Sequence, residues 1–553
     1  MSFGLGQRES IESRMASEHF DLVIVGGGIT GAGIFRDAAL RGLKVALVEM
    51  EDFAFGTSSR SSKLVHGGLR YLETYQFGLV HESTTERTRL EGLAAHLVRP
   101  LPFLMPVWKG SKHGLWFMNL GLWLYDALSL FRVYRLHSRL IPGKVVQTAP
   151  PVKTEGLTGG LLYYDSVTDD TRLTFENILG GVRAGGLAIS RARANGFVEK
   201  DGRIVAVKAR DLLNSCDFVI RTTAVIAAAG PWSESAQEAL GVQDGPRLRP
   251  TKGTHIVVPL AKAPLPTAVV MQAPQDGRAF FIIPWHGATV IGTTDTDYDG
   301  DPANVMASKE DVEYLLAAAR HHFPGITAVP ADIIGTWSGL RPLLRANDVS
   351  ESAVSREHQI HVDQRGVVTI AGGKLTTYRL MAQQALKAVK PFLEKNLPKS
   401  TTDKIPLPYR GNLANEAARE AVVVQLSSSR DIPEDIARHL TETYGESAQI
   451  LLDLGRSNPE LLQRLDANWP YIGVEIAWAA REEMAITLID AMCRRTLVFF
   501  LLGDRLEPAA RKAAAIMAGE LGWSRDRVEE EVAQILDSQR QHLDCARESE
   551  PPA

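Results

Sequence analysis

The stretch Asp21 to Met50, DLVIVGGGITGAGIFRDAALRGLKVALVEM, constrains this chain more than any other. Asp21 to Val25 is a short apolar run of β type, and Gly26-Gly27-Gly28 breaks it. Ile29 to Arg41 has helical spacing, Gly42 ends it, and Lys44 to Glu49 is a second apolar strand. One βαβ unit of this kind demands a parallel sheet, and hence an α/β fold. Within it, Gly26-x-Gly28-x-x-Gly31 follows the strand and opens the helix. Gly26 permits the tight turn. Gly28 lets a pyrophosphate approach amides at the helix N-terminus, and Gly31 allows close helix–strand packing. Gly27 and Thr30 complete the turn. Glu49 ends the second strand, 18 residues after Gly31. A carboxylate there accepts hydrogen bonds from an adenosine ribose. The fingerprint alone does not separate NAD from FAD. Its place at the extreme N-terminal end, without a second copy, leans towards FAD.

The chain has 553 residues, more than one hydrophobic core usually supports, so two or three domains are expected. Hydrophobic residues make up 45% and charged residues 23%, which excludes a disordered chain. The net charge of −4 gives no whole-chain reason to bind nucleic acid. Cys216, Cys493 and Cys545 lie far apart, so neither a disulfide framework nor a zinc ribbon is expected. No metal site is expected: Asp295-x-Asp297-x-Asp299-Gly300 copies the start of a calcium loop, but the position of its bidentate Glu is Met306. Residues 1–20 are polar and mixed in charge, lack the apolar core of a signal peptide, and read as a disordered tail.

Beyond the βαβ unit, strands and helices alternate to about residue 390. Asp201-Gly202 separates two alternating runs and reads as a hairpin turn. Ser308 with Asp311 reads as a capping box that opens a helix to about His322. From about 401 to 546 the pattern is almost wholly helical, and EIAWAAREEMAITLIDAMCRRTLVFF is its strongest helical stretch. The final residues, 547–553, read as a tail. The segment Gly114 to Phe131, GLWFMNLGLWLYDALSLF, is too interrupted by Asn119, Asp126 and Ser129 to span a bilayer. The plainer expectation is a buried helix. The sharper one is an interfacial helix, because Trp116, Trp123 and Tyr125 favour headgroup level.

After Glu49, Thr57, Ser58, Ser59, Ser61 and Ser62 are packed beside Lys63, His66, Arg70 and Tyr71. Hydroxyls suit a ribityl–phosphate chain, and the basic and phenolic groups suit an anionic, hydroxylated substrate. A polar surface loop explains the segment equally well when it is taken alone.

The ordered set IVGGGITGAGIFRDAALRGLKVALVE, GTSSRSSKLVHGGLRYLE, GTHIVVP, FFIIPW, IGTTDTDYDGDP, SGLRPL and AGGKLTTYR resembles the FAD-dependent, quinone-linked glycerol-3-phosphate dehydrogenases. The similarity runs from about Asp21 to Lys390 and continues more loosely into the helical C-terminus. It departs at Phe35, where the family usually has a small residue, which puts helix packing near the adenosine half in doubt.

The resemblance implies a Rossmann-like FAD-binding domain, an interleaved β-sheet substrate domain and an α-helical C-terminal domain. The FAD parts are expected at about 21–100, 165–235 and 335–390, and the substrate parts at about 101–164 and 236–334. It implies oxidation of sn-glycerol 3-phosphate to dihydroxyacetone phosphate by hydride transfer to flavin N5, with electrons leaving for membrane quinone. Peripheral attachment on the cytoplasmic face of an inner membrane follows, helped by Arg132, Arg135 and Arg139. A homodimer is compatible with it.

For the substrate phosphate, Arg341 of SGLRPL leads, then Arg356 and Lys374. His66 is expected to take the hydroxyl proton, with His255 second and Arg70 as an electrostatic alternative. Tyr71 joins the substrate site. Gly230, Gly373, Lys374, Leu375 and Thr376 are expected around the flavin, where a helix N-terminus would stabilise negative charge on the reduced ring. Two rivals stand beside this expectation: an oxidase that passes electrons to oxygen, and a non-catalytic flavin-binding assembly protein.

Overall fold

The computed structural model describes residues 3–73, 75–345, 358–430 and 432–547. The fingerprint strand Leu22–Val25 lies inside a six-stranded sheet. In order, its strands are His358–Asp363, Val367–Gly372, Val225–Ala227, Leu22–Val25, Val45–Val48 and Leu187–Ile189. All neighbours run parallel except the outermost His358–Asp363. Burial on both faces explains why Val45–Val48 is uniformly apolar. Gly26 adopts φ +108°, and a Cβ on Gly31 would lie 1.9 Å from the Gly26 carbonyl oxygen, so both glycines are required.

A second, ten-stranded sheet is built around Leu248–Pro259, Ala279–Trp285, Arg99–Trp108 and Leu157–Val167. The strand Gly335–Leu344 pairs along its whole length with Leu248–Pro259. These ten residues therefore belong to the substrate sheet and not to the FAD part, where the sequence had placed 335–390. The linear pattern cannot show this, because the strand is an apolar run like its neighbours and the sheet it joins is decided by long-range pairing. Two predicted local features are present. Asp201 and Gly202 both have positive φ between Ala192–Lys200 and Arg203–Asp211, and Ser308 caps the helix Lys309–His322 with Asp311.

The N-terminal segment is not a disordered tail over its described residues. Arg8–Ser17 is a helix, and Arg8 forms a buried bidentate pair with Asp211 at 2.8 Å to each oxygen. Phe3 packs on Phe53 and Phe175. At the other end, Arg525–Arg547 is helical, and 548–553 lie outside the described residues.

The C-terminal domain is helical, but its strongest helical stretch is broken. Gly473–Glu482 is one helix, Met484 takes φ 52°, Asp490–Arg495 forms a π turn, and Phe499–Leu502 is a further short helix. The break is stabilised locally. Asp490 accepts from the Ile486 and Thr487 amides at 3.1 Å, and Glu531 from the Leu488 amide at 2.8 Å. Periodicity alone could not reveal a break whose freed amides bind carboxylates.

Phe35 is fully buried. A Cβ on Gly181 would lie 2.3 Å from its ring, and one on Gly186 2.6 Å away. Two glycines on the facing helix and turn thus make the room that the large side chain needs.

Candidate active site

The carboxyl ends of four neighbouring parallel strands lie along one edge of the sheet, the usual ligand position in such sheets. They carry Gly26–Gly31 after Leu22–Val25, Glu49 after Val45–Val48, Gly230 after Val225–Ala227, and Gly373–Thr376 after Val367–Gly372. Thr30 is in the first turn of the fingerprint helix Ile29–Leu40. Glu49 accepts from the Gly27 amide at 2.6 Å and the Glu51 amide at 2.8 Å. Burial pushes its carboxyl up to about 7; the two amide bonds oppose this, and nearby Glu51 and Asp52 add to it.

The cradle fits a dinucleotide. A Cβ on Gly27 would meet Phe53 at 2.8 Å and the Glu49 side chain at 3.0 Å, and one on Gly28 would meet Ser58 Oγ at 3.1 Å. Ser58 Oγ accepts from the Ile29 amide at 2.9 Å, which ties the serine-rich loop to the first helical turn.

That loop then runs along the substrate sheet. Thr57 Oγ1 donates to the Leu340 carbonyl at 2.6 Å, and Trp337 Nε1 donates to the Ser61 carbonyl at 3.0 Å. Ser59 Oγ makes only long contacts, 3.4–3.5 Å, to the Gly56 and Phe55 carbonyls. Ser61 and Lys63 were expected to meet the cofactor, but both side chains turn to Asp170, at 2.7 Å in each case. Ser62 Oγ lies 2.8 Å from His255 Nε2.

His255 is buried, stacks on Trp337 and keeps Nδ1 out of any hydrogen bond. Burial, then Arg341 and Lys63, hold its pKa well below the usual histidine value. A ring kept neutral by burial and by two nearby cations is a weak proton acceptor.

Arg341 donates to Asp295 Oδ1 at 2.9 Å, the Thr293 hydroxyl at 3.1 Å and the Thr294 carbonyl at 3.0 Å. It lies so close over Gly253 that a Cβ there would come within 2.5 Å of the guanidinium. Asp297 pairs with Arg249. Two of the three carboxylates of the calcium-like motif are thus engaged by arginines.

His66, Lys374, Leu375, Thr376 and Tyr71 form a second group. Thr376 Oγ1 bridges the His66 amide and carbonyl, at 3.3 Å each. Lys374 Nζ sits 3.7 Å from the centre of the Tyr71 ring. Arg70 is exposed on the same turn, and Arg356 lies outside the described residues. The Gly68 amide donates to His66 Nδ1 at 3.1 Å. A neutral ring that accepts there carries its proton on Nε2.

Sequence reasoning missed Asp295, Thr293 and Asp170. Each acts through a partner 46 to 109 residues away, and no spacing rule marks such a pair.

The family described as FAD dependent oxidoreductase matches residues 21–379, and the C-terminal domain of alpha-glycerophosphate oxidase matches 400–528. The chain therefore belongs to the FAD-dependent oxidoreductases, within their glycerol-3-phosphate dehydrogenase branch, and its cofactor is FAD. It is 37% identical to glycerol-3-phosphate dehydrogenase 2 of Mycobacterium bovis, over 97% of this chain and 90% of that one. It is 36% identical to the aerobic glycerol-3-phosphate dehydrogenase of Staphylococcus aureus, over 97% and 98%. The Bacillus halodurans glycerol-3-phosphate dehydrogenase, solved with FAD, superposes with a TM-score of 0.82 at 30% identity, covering 99% of this chain and 100% of that one.

Proposed function

We propose that the protein oxidises sn-glycerol 3-phosphate to dihydroxyacetone phosphate and passes the electrons to membrane quinone, from the cytoplasmic face of the inner membrane. The substrate follows from the names of the near full-length relatives. FAD, when bound, supplies the two-electron acceptor. Arg341, fixed by Asp295 and Thr293, binds the phosphate, and Lys374 adds a second positive charge. His66 donates Nε2–H to the reacting oxygen. With Lys374 and Arg70 it stabilises the alkoxide as the hydroxyl proton passes to solvent.

One observation carries the choice of acceptor. The helix Leu115–Leu128 exposes Trp116 at 74%, together with Phe117, Leu120, Trp123 and Leu124, and Leu130 and Phe131 follow it. A patch of this kind marks an interaction or membrane surface. The buried-helix expectation is thereby overturned: only Leu122, Tyr125 and Asp126 of this helix are buried. Its inner face is tied to the His66 turn. Tyr125 donates to Asp165 at 2.8 Å, and Asp165 accepts from the Gly67 amide at 3.1 Å. The helix that carries the apolar surface is therefore tied to the turn of the proposed reaction site. Among the described residues no helix is long and apolar enough to cross a membrane, so attachment would be at the surface.

The double variant Trp116→Ser/Trp123→Ser tests the proposal. It should lose binding to anionic phospholipid vesicles and slow reduction of a long-chain quinone, yet keep activity with a water-soluble dye. Stoichiometric hydrogen peroxide with unchanged quinone activity would favour the oxidase reading.

A further inference from the structure

The loop 50–63 joins the ribose acid Glu49 to the serine-rich segment, and both of its ends are held by buried ion pairs. At its start, Asp52 accepts from Arg494 Nε at 2.6 Å and from both terminal nitrogens of Arg495 at 2.8 Å. Burial opposes ionisation of Asp52, but Arg495 and Arg494 outweigh it and hold the carboxyl well below its usual range. Arg494 also pairs with Asp490, which Arg191 reaches at 2.8 Å while Arg191 pairs with Glu51. At the other end, Asp170 accepts from the Ser61 amide at 3.0 Å, the Ser61 hydroxyl at 2.7 Å and Lys63 Nζ at 2.7 Å.

Both ends lead to one residue of the C-terminal domain. Arg172, two positions after Asp170 on the helix Asp170–Arg183, donates to the Glu483 carboxylate at 2.6 and 2.7 Å. Arg495 donates to the Glu483 carbonyl at 3.0 and 2.8 Å. Arg172 and Arg495 both lie over the Phe175 ring, at 5.6 and 4.8 Å. Arg494 lies 5.7 Å from the ring of Phe55, inside the loop. Glu483, Arg494 and Arg495 are the residues around which the long C-terminal helix breaks.

A continuous helix would set Arg495 about 18 Å along its axis from Glu483, beyond the reach of its side chain, whereas the broken, partly π-helical backbone lets Arg495 bond the Glu483 carbonyl. Such breaks are common at functional positions. Buried pairs of this type add little net stability over apolar packing, but they fix a geometry, because removing one partner strands a charge. What is fixed here is the loop whose Ser58 hydroxyl meets the first amide of the fingerprint helix.

We propose that the C-terminal helical domain is a cofactor-retention element: Glu483, Arg494 and Arg495 act as positioning residues that hold the loop 50–63 in the shape that FAD binding needs. Residues that orient binding groups through others set affinity by pre-organisation.

The test uses the holoenzyme of Asp52→Asn and Arg495→Lys, which conserve size, with the exposed Arg511→Ala as control. Flavin release is followed by fluorescence, and folding by circular dichroism on the same ramp. The expected result is flavin release at least tenfold faster at 25 °C, and a flavin transition that precedes unfolding in both variants but not in the control. Flavin loss that coincides with unfolding, or a variant that cannot be obtained folded with FAD added, would overturn the proposal. The cofactor loop would then have no dependence on the clamp apart from general stability.

Discussion

The Gly68 amide donates to His66 Nδ1 at 3.1 Å, which directs the proton of the neutral ring to Nε2. On our reading of the site the ring is thereby a donor. A donor can be replaced by an amide, whereas a base cannot. His66→Gln should retain activity within roughly tenfold, while His66→Ala should lose more. A loss of about 10²–10⁴-fold in His66→Gln, as expected on removal of a general base, would contradict the donor role. Steady-state kcat with FAD content measured alongside makes the distinction.

Arg341 is held by three partners over Gly253, so its geometry is set before any substrate arrives. Arg341→Ala should lower kcat/KM by about a hundredfold or more, since charge-assisted bonds to phosphate are worth roughly 1.5–3 kcal/mol each. FAD content should not change. Asp295→Asn keeps the guanidinium but loosens it, and should act mainly on KM. Equal flavin loss in Arg341→Ala would place the residue in the wrong half of the site.

Glu49 gives a pH dependence with a definite sign. Its carboxyl is pushed up to about 7, and only the ionised form offers both oxygens as acceptors to ribose hydroxyls. Binding should therefore favour the carboxylate, and FAD affinity should rise as pH increases through 7. Fluorescence titration of the apoprotein between pH 6 and 8 measures this. Glu49→Gln should flatten the profile. The same slope in Glu49→Gln would assign it to another group.

The packing around Phe35 predicts a coupled pair. Gly181→Ala would force a Cβ to within 2.3 Å of the Phe35 ring and should cost about 1–3 kcal/mol, as overpacking does. Phe35→Ala should relieve most of that clash, so the double variant should be more stable than the sum of the singles. Additive losses in thermal denaturation would mean that the two residues do not compensate.

These cases show what the sequence made legible. The βαβ unit, Glu49, the hairpin at Asp201 and the Ser308 cap were readable because each is local, set by periodicity or by a residue's backbone preference. The motifs that carry Arg341, Lys374 and His66 were readable as well. Their partners were not, since Asp295 and Gly68 act by contact and hydrogen bond. Ser61 and Lys63 show the same limit: nothing in their sequence neighbourhood reveals that Asp170 takes both side chains. The helix Leu115–Leu128 left two readings open, buried or interfacial, because apolar content alone does not separate them; only the fold shows that most of its apolar side chains face outward.

The central claim is that this flavoprotein accepts electrons from glycerol 3-phosphate. Anaerobic titration of the purified holoenzyme with that substrate, followed by the visible absorbance of oxidised flavin, tests it most directly. Bleaching by one equivalent, slowed about a hundredfold or more in Arg341→Ala protein that still carries FAD, is the predicted result. A flavin that glycerol 3-phosphate leaves oxidised would contradict it.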